Sequence, residues 1–127
     1  MRGLIWTVSV SLLLIVGIGV FSGRYSDFVS DEMRGQLTRL EEKIRDTQWT
    51  EASQMAEDME KSWQRRGDVL SMWVNHADVD DVRTGLKRLR VAIRAQDALQ
   101  TFLSAADLSE ALDHVYHRDA LRLKNIL

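Results

Sequence analysis

Residues 4–21 read LIWTVSVSLLLIVGIGVF, eighteen positions from Leu4 to Phe21 without a charge. At about 1.5 Å per residue they give roughly 27 Å of helix, close to the ~30 Å hydrocarbon core of a bilayer. This run is expected to cross a membrane once. Arg2 precedes it and Ser22, Gly23 and Arg24 close it, so polar groups flank both ends. Trp6 and Tyr25 fall near the two interfaces, where amphipathic rings are favoured.

A secretory signal peptide begins in the same way, with a positive charge and an apolar core. Its core is usually about 7–15 residues long and ends in small residues at a cleavage site. Here the core is longer, and Val20-Phe21-Ser22 places a bulky ring beside any cut. An uncleaved anchor over residues 1–23 is therefore expected, with a helical domain over 24–127. Lys and Arg alone do not set the orientation, because Arg2 on one side faces Arg24, Arg34 and Arg39 on the other. A three-residue tail followed at once by the span has the form of a signal anchor, which predicts a cell-membrane protein whose domain lies outside the cytoplasm. Gly3, Thr7 and Ser11, four residues apart, put small side chains in one stripe where a second membrane helix could approach closely.

Beyond the anchor the composition excludes several classes. The chain has 17 Lys+Arg against 19 Asp+Glu, and setting Arg2 aside leaves 16 against 19, a domain about three units negative. Charge of that sign does not suit a nucleic-acid binder. Cysteine is absent, which removes disulfides, thiol chemistry and a lipoprotein anchor. Proline is absent too, and of seven glycines Gly3, Gly17, Gly19 and Gly23 lie in or beside the anchor. Long helices joined by short polar turns are expected.

The hydrophobic period bears this out segment by segment. Val29, Met33, Leu37, Leu40 and Ile44 repeat at steps of three and four, one face of a helix over about 26–46. Gly23 permits a change of direction, so residues 24–47 are either a bundle helix or a stalk continuous with the anchor. After a turn near Asp46-Thr47-Gln48, with Asp46 or Thr47 expected to cap, the stripe resumes as Trp49, Ala52, Ala56, Met59, Trp63, Leu70 and Trp73. Gly67 marks a place where that helix could kink or break. His76-Ala77-Asp78 is expected to end it, and Asp78 to cap the next. Val82, Leu86, Leu89 and Ile93 form the third face, opposite a basic side of Arg83, Lys87, Arg88, Arg90 and Arg94, read as surface ion pairing. Asp97 is expected to cap the last helix, whose stripe is Ala98, Phe102, Ala105, Leu108, Leu112 and Val115. The apolar ending Leu121, Leu123, Ile126 and Leu127 is expected to fold back on the domain or to meet a partner. Such segments bury their stripes by running antiparallel, so the fold class is all-α: an N-terminal transmembrane helix and a small antiparallel bundle of three to four helices.

Little in the chain reads as chemistry. His114 and His117 are three apart and His76 stands at another helix end, a set of imidazoles that could in principle hold zinc. The spacing alone is too thin, and the sequence predicts no metal and no cofactor. Glu41/Glu42, Glu57/Asp58 and Asp80/Asp81 are adjacent, so on helices they diverge by about 100° and do not share a site. No nucleophile elbow, phosphate loop, zinc-protease or calcium-loop motif occurs. The chain is not expected to be an enzyme.

The apolar run, Trp49 followed by Ala52, Trp63, the His76-Ala77-Asp78-Val79 turn and the closing Leu123-Lys124-Asn125-Ile126-Leu127, in this order and spacing, resemble a family of short bacterial proteins known as domain of unknown function 4363. The resemblance implies a membrane-anchored helical domain with no established activity, ligand or catalytic residue. It also implies a capping or hydrogen-bonding role for His76. The expected partners are the membrane itself and either a membrane or envelope protein or a second copy. The leading expectation is a non-enzymatic interaction or accessory module. The alternative is an extracytoplasmic ligand- or metal-binding domain.

Overall fold

The computed structural model describes the backbone of residues 1–126 and the side chains of residues 1–115. Four helices follow one another: α1 (Arg2–Arg45), α2 (Trp49–Leu70), α3 (His76–Arg94) and α4 (Ala98–Ile126). Among the described residues there is no strand. Each helix packs on its neighbours in sequence, and α4 closes the ring on α1. This is an up-and-down four-helix bundle.

α1 is one unbroken helix of 44 residues. Gly23 does not end it, because helical hydrogen bonding runs on through residues 22–30. Its first part holds an 18-residue window of mean hydropathy 2.5 with none of it buried. From Ser26 onward the same helix is a wall of the bundle, with Val29, Met33, Leu37, Leu40 and Ile44 in the core. The free-standing stalk over 24–47 is therefore not what this chain forms.

Trp63 organises the interior. It is fully buried, and its indole N–H donates to the Val79 carbonyl of α3 at 3.1 Å. The bond gives a partner to a polar group that would otherwise be costly to bury. Gly67, one turn further on, is likewise buried inside an intact α2. A Cβ there would lie 3.2 Å from Val79 Cγ1, so this glycine serves close approach of α3 and not a kink. Gly85 plays the same part between α3 and α4, where an added Cβ would meet Leu108 Cδ1 at 3.2 Å. The stripe of α3 is core as expected, and so is that of α2 from Ala52 to Leu70, but Trp49 is only half-buried and Trp73, also half-buried, lies past the end of α2; in the α4 stripe Ala98 is exposed and Phe102 half-buried.

The turns differ from expectation in their caps. Gln48, not Asp46 or Thr47, occupies the N-cap of α2 and makes no side-chain cap bond. Thr47 instead closes α1 in the left-handed region at φ 57°. The Gln48 N–H returns to the Lys43 carbonyl at 2.9 Å and the Thr47 N–H to Ile44 at 3.0 Å, a Schellman ending without glycine. Gln96 does the same after α3, at φ 52°, with the Asp97 N–H bonded to the Ala92 carbonyl at 3.1 Å. His76-Ala77-Asp78 opens α3 and does not end α2. Its cap is Asn75, whose Oδ1 accepts from the Ala77 N–H at 3.0 Å, while Asp78 is buried in the first turn. Asp97 caps α4 as expected, its Oδ1 accepting from the Gln100 N–H at 3.0 Å.

Candidate functional site

The bundle has two ends of different character. The end near the apolar run carries the α2–α3 turn, since the Trp73 indole N–H donates to Ser26 Oγ at 3.0 Å. Trp73 also meets Tyr25 edge-on at 5.8 Å, and Tyr25 stacks on Phe21 at 6.1 Å. The far end carries the two Schellman turns. Ion pairs pin the helices along their length: Arg66 with Glu32 at 2.6 Å, Lys43 with Glu51 at 2.8 Å, and Arg34 with Asp113.

The basic side of α3 divides. Arg90 turns to Glu60 of α2 at 3.0 Å, Arg94 to Glu57 at 3.9 Å, and Arg83 to Asp80 of its own helix at 2.9 Å. Those three are ion-pairing residues, in line with the sequence reading. Lys87 and Arg88 are exposed and border a groove of about 440 Å³ between α3 and α4. Its floor and rims include Val91, Ala92 and Ala95, with Asp97 and Gln100 opposite. Val91, Leu99 and Leu103 are the exposed large apolar side chains of this end of the bundle. The sequence stripes overlooked them because all three fall off the core face; the available signal was a lone valine among arginines and two leucines out of register.

The adjacent carboxylates diverge as expected: Glu57 faces Arg94 while Asp58 accepts from the Gln54 amide at 3.1 Å. His76 and His114 are both exposed, one at the start of α3 and one on α4. His117 lies outside the residues whose side chains are described, as do Leu121, Leu123, Ile126 and Leu127. Among the described residues no three His, Asp or Glu side chains converge as metal ligands. His114 sits instead in a second, polar stretch of the α3–α4 groove with Asp81, Arg88 and Glu110. In the apolar part of α1, Gly3, Thr7 and Ser11 are exposed, and the Thr7 hydroxyl donates to the Gly3 carbonyl at 2.7 Å. That bond satisfies the Thr7 hydroxyl within its own helix.

A family model described as a domain of unknown function (DUF4363) matches residues 20–126. The chain belongs to this family. The DUF4363 match covers the bundle part of α1 and all of α2, α3 and α4, and stops short of residues 1–19, most of the apolar run. No curated protein and no solved structure matches the chain. For this DUF4363 protein the geometry of the bundle therefore carries the functional reading.

Proposed function

We propose that this protein is a non-enzymatic, single-pass membrane module that holds a rigid four-helix bundle beside the bilayer and presents the α3–α4 groove to a membrane or envelope protein. The observation behind it is α1, which is at once an exposed apolar helix of spanning length and a core helix of the bundle. A hinge at Gly23 would leave the domain free to tumble; an unbroken helix fixes its height and orientation. The groove supplies the surface, with the exposed apolar Val91 beside the cations Lys87 and Arg88, and with Leu99 and Leu103 exposed on α4 outside its lining. Apolar side chains rimmed by charge are the usual composition of a protein contact.

In this reading the bundle lies outside the cytoplasm. Because the chain has no cysteine, Leu99→Cys gives a unique thiol. A membrane-impermeant maleimide should label it in intact cells, and labelling only after lysis would place the bundle inside.

The test of function is photo-crosslinking in native membranes, with probes replacing Ser11 in the span and Arg88 at the groove, followed by mass spectrometry. A reproducible heterologous adduct at Arg88 is expected. Recovery of the isolated monomer alone would contradict the reading.

A second reading has one observation in its favour, since about 440 Å³ lies within the size range of small-molecule pockets. In that case the groove takes an apolar ligand, and no protein adduct forms at Arg88. Entry of such a ligand would alter the fluorescence of Trp49, which lies at the same end of the bundle.

A further inference from the structure

The bundle exposes apolar side chains at both ends, but only one end can reach lipid. Ser26 follows Phe21 by five residues, about 7.5 Å along the helix axis. The polar layer on each side of a bilayer is about 5–8 Å deep, taking ~40–45 Å overall and ~30 Å of hydrocarbon. The Trp73–Ser26 bond therefore holds the α2–α3 turn at the depth of the headgroups whenever α1 spans. At the opposite end, Ile44 follows Phe21 by 23 residues, about 35 Å. Val91, Leu99 and Leu103 stand far above the membrane.

The residues at the lower end suit that depth. Phe21, Tyr25 and Phe28 follow the i, i+4, i+7 spacing of one helix face, and Trp73 lies against Tyr25. Tyrosine and tryptophan favour the interface because an apolar ring meets lipid while a polar atom keeps a hydrogen bond. Trp73 has this arrangement already, its N–H being satisfied by Ser26. Phe28, on the same face, is 60% exposed, with the Arg66 guanidinium 5.5 Å from its ring centre and held there by its ion pair with Glu32. Met72, at the tip of the turn, is 81% exposed, more than any other large apolar side chain among the described residues except Met1. In water that exposure has no compensation.

We propose that the α2–α3 turn, residues 71–75, is a membrane seat: Met72 and the Phe21–Tyr25–Trp73 cluster rest in the interfacial layer of the same bilayer that α1 crosses. The occupant of this surface is lipid. The charges nearby are mixed, with Arg24, Asp27, Arg65 and Asp68 all exposed, so the seat works by apolar insertion and does not need anionic headgroups. Contact is intramolecular once α1 is inserted, so a small apolar footprint suffices to hold it. The seat adds a second point of attachment, which limits the tilt of the bundle against the bilayer and so holds the α3–α4 groove at a fixed height.

The inference rests on α1 being a membrane span, and one experiment separates the two. An environment-sensitive fluorophore is attached to the full chain at Met72→Cys, Leu13→Cys or Leu99→Cys, all exposed positions, and each protein is reconstituted in phosphatidylcholine vesicles. Lipid spin-labelled at the headgroup or deep in the acyl chain is then added as quencher. A seated turn gives at least twofold stronger quenching at Met72 than at Leu99 by the headgroup label, with Leu13 quenched most by the deep label. Quenching at Met72 equal to that at Leu99, with Leu13 still quenched, overturns the seat and leaves the span. No quenching at Leu13 overturns both.

Discussion

Between Leu4 and Phe21 the large apolar side chains of α1 are 44–72% exposed, whereas Val29, Met33, Leu37, Leu40 and Ile44 of the same helix are 3% exposed or less. The difference lies in arrangement and not in helix type. In the second stretch the apolar positions occupy one stripe, and Glu32, Arg34, Arg39 and Glu42 take the other faces. A stripe can be covered by two neighbouring helices, and α2 and α4 cover it. In the first stretch apolar side chains point in all directions, so no set of two partners within the chain could cover them. Such a surface is consistent with a membrane-spanning helix. In the proposed function the two halves of one hydrogen-bonded rod belong to two different media, with the boundary between them near Phe21–Ser26.

If this division is right, substitutions should have opposite consequences in the two halves of the molecule. The largest expected effect is in the core: Trp63→Ala removes a fully buried ring and its hydrogen bond to the Val79 carbonyl, lowering unfolding stability by about 3–5 kcal/mol. Leu13→Ala should change it by less than about 0.5 kcal/mol. Urea denaturation of the full chain in mild detergent, followed by circular dichroism, measures both. Leu13→Arg reverses the pattern, costing roughly 2.5–3.5 kcal/mol of membrane insertion with the bundle intact. Carbonate extraction reads that loss as protein released from membranes.

Glycine offers a finer version of the same contrast. Gly85→Leu pushes into Leu108 and is expected to destabilise the bundle by about 1–3 kcal/mol, whereas Gly17→Leu meets nothing within 4 Å and should leave bundle stability unchanged. At the far turns the expected sign is positive. Thr47→Gly relieves a β-branched residue from the left-handed region and should raise stability by about 1 kcal/mol, seen as a higher urea midpoint at unchanged slope. Asp97→Ala should lower it by about 1 kcal/mol through loss of the α4 cap.

The smallest effect is electrostatic and pH-dependent. Hydrogen bonding to Glu51, and next its charge, raise the Lys43 amine above its ordinary value of 10.5. A raised amine stabilises the fold fully below its unfolded pKa, and the contribution disappears as pH rises through the folded value. The stability gap between the native chain and Glu51→Gln should therefore be constant between about pH 7 and 9 and fall above about pH 10.5. Denaturation midpoints across that range test it, with a gap unchanged at pH 11 counting against the pair.

What could be read from the sequence follows the same line. The stripe of α1 from Val29 to Ile44 and that of α3 were legible because a helix period with several apolar repeats has a single way to be buried. Turn chemistry was less so. Thr47 and Gln96 adopt a conformation usually marked by glycine, and Asn75 took the cap role because the helix starts one turn earlier than the Asp78 reading required. The α3–α4 groove was hidden because Val91 belongs to no periodic stripe; it lines a surface only when two helices are set side by side. The pairing of Arg90 and Arg94 with α2 carboxylates likewise depends on which helices are neighbours.

The central claim is that span and bundle share one rigid helix. Spin labels at Leu13 and Asp31, both exposed, test it in the full chain in vesicles by pulsed electron double resonance. Eighteen residues of continuous helix complete five turns, placing the labels on one face about 27 Å apart in a narrow distribution. A broad distribution centred well below that distance would mean a hinge near Gly23 and a bundle free of the membrane.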